Sequence, residues 1–155
     1  QEFLEGEWFR DTVPLHWDQG AQFKGIFRMY RDLVSLRLNE EGHTQGLTGQ
    51  HVETLHLHPD NHVYAFHRWA DGGSHDDVVV AVNLDSKTWG EYTIGMPAAG
   101  RWVTRFNSDA KVYSDVFDGV DVPEWFVAAE DDYDGHPASA TLVLPPYSVV
   151  ILSRA

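Results

Sequence analysis

The stretch Thr141-Leu142-Val143-Leu144-Pro145-Pro146-Tyr147-Ser148-Val149-Val150-Ile151-Leu152-Ser153 constrains the fold more than any other. Proline fixes φ and has no backbone donor, so Pro145 and Pro146 belong at a corner between strands, not inside a ladder. Two short strands therefore flank that corner. Val, Ile and Leu stand on both alternating faces of the second run, the pattern of a strand buried on both sides. This late segment is expected to be a core strand around which the β-rich middle of the chain packs.

Reading from the start, residues 1–18 hold Trp8, Phe9, Trp17 and Pro14 among acids, with no steady period. We read them as an aromatic-rich loop whose rings pack under the next helix or stand at a pocket edge. Over 19–38, Phe23, Ile26, Phe27, Tyr30, Leu33 and Val34 recur as one helical stripe, with Asp18 as the expected N-cap and Gly42 and Gly46 marking the exit. Gly20 and Gly25 weaken the first turns. The stripe must pack on the sheet or on a neighbouring domain.

From residue 50 the pattern is β. Expected strands are 52–58, 63–69, 77–84, 89–94, 101–106 and two in 138–153, with turn residues such as Pro59-Asp60-Asn61 and Pro97-Ala98-Ala99-Gly100 between them. Asp77–Leu84 is apolar on both faces and reads as a central strand. Alternation places Trp102 and Phe106 on one face of their strand and Val103 on the other. Residues 107–137 read as a long acidic excursion. The fold class is mainly β, an antiparallel sandwich of Greek-key type preceded by one amphipathic helix.

The sequence has 155 residues, enough for one domain with an appended piece. Its 24 acids against 11 Lys and Arg give a net charge of −13. Such a balance argues against nucleic acid or an anionic membrane as partner and leaves neutral or cationic ligands open. No apolar run approaches the roughly 20 residues of a membrane span. There is no cysteine, hence no disulfide framework or thiolate chemistry. The opening Gln1-Glu2-Phe3-Leu4 suggests a piece of a longer polypeptide.

Three constellations hold residue types that could carry chemistry. His56 and His58 share a strand face, and with a third ligand could bind a transition metal, but the Glu that a cupin places after its His-x-His is missing, so a solvated strand face is the plainer reading. The acids of the excursion, Asp109, Asp115, Asp118, Asp121, Glu124, Glu130, Asp131, Asp132 and Asp134, lack the spacing of a helix–loop–helix calcium site and read as a solvated loop. Glu2, Glu5 and Glu7 are close in sequence, which cannot by itself make a catalytic carboxylate pair. No phosphate loop or nucleophile motif is present, and neither cofactor nor metal is expected.

Several segments taken in order resemble the C-terminal end of an alpha-amylase superfamily enzyme, above all alpha-1,4-glucan branching enzymes. Gln1-Glu2-Phe3 resembles the segment just after the eighth barrel strand. Phe27-Arg28-Met29-Tyr30-Arg31-Asp32-Leu33-Val34-Ser35-Leu36-Arg37 resembles the last barrel helix. Val63–Trp69 and Val78–Leu84 are similar to the paired strands that open the family's all-β domain. Pro97-Ala98-Ala99-Gly100-Arg101-Trp102, Phe106-Asn107-Ser108-Asp109-Ala110 and Leu144-Pro145-Pro146-Tyr147-Ser148 resemble its later motifs. Where branching enzymes continue with Tyr-Gly-Gly, this chain has Tyr113-Ser114-Asp115.

The resemblance implies that residues 1–40 end a catalytic barrel and 41–155 form the C-terminal sandwich. It implies a parent enzyme that breaks and re-forms alpha-glucosidic bonds in the cytoplasm, with glycogen- or starch-like alpha-glucan and the barrel of the same polypeptide as partners. The family's three catalytic carboxylates precede this chain, so none falls here. Glu2, Trp8 and Trp17 would border the active-site face as substrate-binding residues. The alternatives are the C-terminal domain of a hydrolytic alpha-amylase, or an independent carbohydrate-binding sandwich using Trp69, Trp89, Trp102 or Trp125.

Overall fold

A computed structural model describes residues 4, 6, 8, 10–14, 16–73 and 75–155. Among them, two helices, α1 (Gln19–Gln22) and α2 (Lys24–Leu38), precede eight strands. The strands are β1 (His51–His58), β2 (Val63–Trp69), β3 (Val78–Asn83), β4 (Trp89–Met96), β5 (Gly100–Asn107), β6 (Trp125–Ala128), β7 (Ala138–Leu144) and β8 (Ser148–Arg154). Six form one antiparallel sheet in the order β1-β2-β3-β8-β5-β6, and β4 pairs with β7 in a second.

The larger sheet is buried on both sides because its central strands carry apolar residues on both. Val79 and Ala81 of β3, and Val150 and Leu152 of β8, face the smaller sheet and meet Tyr92, Ile94, Met96, Ala140, Leu142 and Leu144. The alternate residues, Val78, Val80 and Ile151, face the other way. With Leu47, Phe106 and Tyr113 they form a second core, on which Met29, Leu33 and Leu36 of α2 rest. The double-sided apolar runs of β3 and β8 thus read correctly as central strands.

Pro145 and Pro146 make the expected corner between β7 and β8. The fully buried Asn83 secures it. Its amide nitrogen donates to Pro145 O (2.7 Å) and Lys87 O (2.8 Å), and its oxygen accepts from Asp85 N. Ser148 Oγ also donates to Pro145 O at 2.7 Å.

Several local expectations are corrected. The helix over 19–38 is interrupted at Phe23, whose φ of −106° and ψ of 32° are non-helical. Asp18 is itself helical and makes no side-chain cap bond. The helix stops at Asn39, in the left-handed region at φ 56°, before Gly42 is reached. Asn39 Oδ1 then accepts from Thr44 N, and Thr44 Oγ1 donates to Leu36 O, so side chains satisfy the exit. Trp102 and Phe106 lie in different cores, because a bulge between Thr104 and Phe106 adds a residue and reverses the faces. The acidic excursion is not all loop, since β6 pairs with β5 there.

Candidate functional site

The apolar stripe of α2 divides in two. Met29, Leu33 and Leu36 turn to the sheet. Phe27, Tyr30, Val34 and Leu38, spaced i, i+3, i+7 and i+11, form a row on the far side and remain open to solvent. Phe27, Val34 and Leu38 are 52%, 54% and 61% exposed. A helix with apolar rows on two opposite sides is made to be covered on both.

A loop from the sandwich fixes that helix. Asp109 is buried and staples the loop that follows β5, its carboxylate accepting from Asp118 N (3.0 Å) and Val120 N (2.8 Å). The loop delivers Tyr113 to α2, where its hydroxyl donates to Asp32 Oδ2 at 3.0 Å. Burial, and then the neighbouring carboxylate of Asp32, push the Tyr113 phenol up to about 12. Gly25 lies under the same loop, where a Cβ would collide with the Tyr113 carbonyl. Glycine is required there by close approach of two backbones, although it costs helix propensity.

The histidine pair is absorbed into structure. His56 is buried rather than solvated; its Nδ1 donates to Asp134 Oδ2 (2.7 Å) and its Nε2 is hydrogen-bonded to Tyr92 OH (2.9 Å). Asp134 also accepts from Gly95 N, and Asn61 Nδ2 donates to Tyr92 OH. Both His56 nitrogens are therefore occupied in tying β1 to β4. His58 accepts from Asn61 N in the turn. Among the described residues, no group of three metal-ligating side chains converges. The acids of the excursion divide likewise: Asp109 and Asp134 are loop staples, and Asp118, Glu130, Asp131 and Asp132 lie on the surface.

Glu2 lies outside the described residues, as do Phe9, Glu5 and Glu7. Trp8 and Trp17 are 86% and 73% exposed, so neither packs under the helix. The tryptophans of the sandwich do not make one platform. Trp102 is fully buried and donates to Ala98 O. Trp69 stacks on His51 and His67 at 5.2 and 4.7 Å. Trp89 packs against Tyr92 under the Lys87 ammonium. Trp125 is half-exposed on the edge strand with the Arg101 guanidinium 4.9 Å from its ring centre.

The family described as "Alpha amylase, C-terminal all-beta domain" matches residues 54–155, which hold all of the strands except the start of β1. The chain belongs to this family. A 1,4-alpha-glucan branching enzyme of Pseudomonas putida is 33% identical over 96% of the chain and 20% of its own length. That of Mycobacterium ulcerans is 30% identical over 100% of the chain and 21% of its own. This alpha-amylase C-terminal all-beta domain and its preceding helix thus span about a fifth of the curated relatives they match, and are homologous to the C-terminal region of branching enzymes.

Solved structures agree on the fold. An alpha-amylase from H. orenii superposes with a TM-score of 0.54 over 91% of the chain and 23% of its own, at 20% identity. A debranching enzyme from Nostoc punctiforme gives 0.59 over 94% of the chain and 24% of its own, at 16% identity. No helix among the described residues is long and apolar enough to cross a membrane.

Proposed function

We propose that this chain is the C-terminal part of a cytoplasmic 1,4-alpha-glucan branching enzyme, in which residues 1–40 complete the catalytic barrel and 41–155 are the sandwich that supports it. The observation that carries this reading is the open apolar row Phe27, Tyr30, Val34 and Leu38, on a helix whose other side is already fixed to the sandwich. The barrel of the same polypeptide is the occupant of that row. α2 would then belong to both bodies: one side closes the barrel, and the other lies on the second core. Homology to branching enzymes over nearly the whole chain supports the same assignment. The domain supplies no catalytic carboxylate. Its glucan contacts are Trp8 and Trp17, exposed ahead of α1, together with Glu2.

Two measurements test this. In the parent enzyme, Val34→Asp and Tyr30→Asp are expected to lower the yield of folded protein and its thermal midpoint; unchanged midpoints would remove the barrel from this face. In the same enzyme, Trp8→Ala should raise KM for amylose, and unchanged kinetics would strike Trp8 from the substrate contacts. Independent glucan binding by the sandwich is the competing reading; against it, Trp102 is buried and Trp69, Trp89 and Trp125 stand on three different strands. Electrophoresis of this chain through gels containing glycogen is accordingly expected to show no retardation.

A further inference from the structure

α2 has a third side. Lys24, Arg28 and Arg31, at i, i+4 and i+7, run along the flank between the sheet-facing row and the open apolar row. With Lys111 they line a groove of about 720 Å³ between the start of α2 and the 111–115 loop. Four of the 11 Lys and Arg of a chain with net charge −13 thus meet in one groove. The acids against them are few. Asp115 lines the groove, and Asp32 beside it lies 3.6 Å from Arg28 Nε and 3.3 Å from Arg31 Nη2 while also accepting from Tyr113. Lys24 has no carboxylate within ion-pair distance among the described residues. Lys111 spends its donors on the Asp115 and Phe117 carbonyls, which leaves its charge uncompensated.

We infer that this groove binds a phosphorylated sugar. An excess of cations on fixed backbone, two of them guanidinium forks, suits a phosphate dianion better than a neutral glucan. The groove is too large for phosphate alone. Its wall carries the Phe23 ring, a flat face for a sugar that is not part of the covered row, and Gln22 and Ser114 can bond its hydroxyls. The flank remains accessible when the apolar row is covered, because the two sides of the helix are distinct. The sugar half of the inference rests on the glucan reading above; the phosphate half rests on charge alone.

The test is a titration of this chain with glucose 1-phosphate, inorganic phosphate, glucose and maltoheptaose, followed by amide chemical shifts in low salt. Glucose 1-phosphate is expected to shift Lys24, Arg28, Arg31 and Ser114, and to bind at least about tenfold more tightly than glucose, as a few charge-assisted bonds provide. K24Q/R31Q should weaken it about tenfold or more, with dispersed amide spectra showing that the fold is kept. Arg37→Gln, on another side of α2, should leave it unchanged. Equal binding of inorganic phosphate would overturn the sugar assignment. Equal binding of glucose or maltoheptaose, or binding indifferent to K24Q/R31Q, would overturn the anion assignment, and so would no binding at all. No branching activity is read, so a failure of the glucan reading in the parent enzyme stays separate from a failure here.

Discussion

Asn83 shows how much one buried amide can hold. Its side chain joins the end of β3, the turn after it and the Pro-Pro corner, donating to Lys87 O and sharing Pro145 O with Ser148 Oγ. Asn83→Ala should cost about 2–3 kcal/mol, the desolvation of partners left unmade, read as a lower urea midpoint at unchanged m. Asn83→Asp should be no better, because a carboxylate cannot donate. Tyr113 makes a different demand. Its phenol is raised from 10.0 to about 12 in the folded chain, so the folded state keeps a proton that the unfolded state releases. That contribution is complete below pH 10 and is lost as pH rises from 10 to 12. Urea midpoints across that window should fall more steeply for the natural chain than for Tyr113→Phe; parallel curves would mean that the hydroxyl is not titrating where the structure places it.

α2 is the element with the most obligations. Leu33→Ala removes a contact with the second core and should cost about 1–3 kcal/mol in this chain, the lower part of the range for core truncations because the site is only partly buried. Val34→Ser, one residue on but on the open side, should stay within about 0.5 kcal/mol. The contrast is measurable by chemical denaturation of the two variants side by side. The sequence announced the helix through its period but could not say that it served two surfaces, since both rows look alike in a single stripe. Strands β3 and β8 were legible because an apolar run on both faces has one architectural meaning. The bulge before Phe106 was not, because its extra residue, Arg105, has nothing unusual about it in the sequence. β6 was hidden by its length: Trp125-Phe126-Val127-Ala128 is four residues among acids. At the candidate site, His56 and Asp134 were each visible as chemistry-bearing groups, but they stand 78 residues apart and only the fold brings them into a bond. Asp109 was read as one more acid of a solvated loop, and its inward turn follows from the backbone it staples.

At the scale of the molecule, two cores on opposite faces of one sheet divide the labour. The inner core, centred on Trp102 and Leu152, holds the sandwich together, and the outer one attaches the helix. Truncating Trp102 to Ala should therefore remove about 3–5 kcal/mol and loosen the β4–β7 sheet, whereas changes at the open row of α2 should be silent until a partner is present. The central place of β8 has a consequence for biosynthesis. β1 to β3 and β5 to β6 leave the ribosome as two half-sheets with a vacant slot between them. Both margins of that slot, the apolar β3 and the mixed β5, are unpaired until β8 emerges, so the nascent sheet keeps two open edges until β8 is threaded home. A holdase that shields such edges would be needed most while β8, Ser148–Arg154, is still inside the exit tunnel.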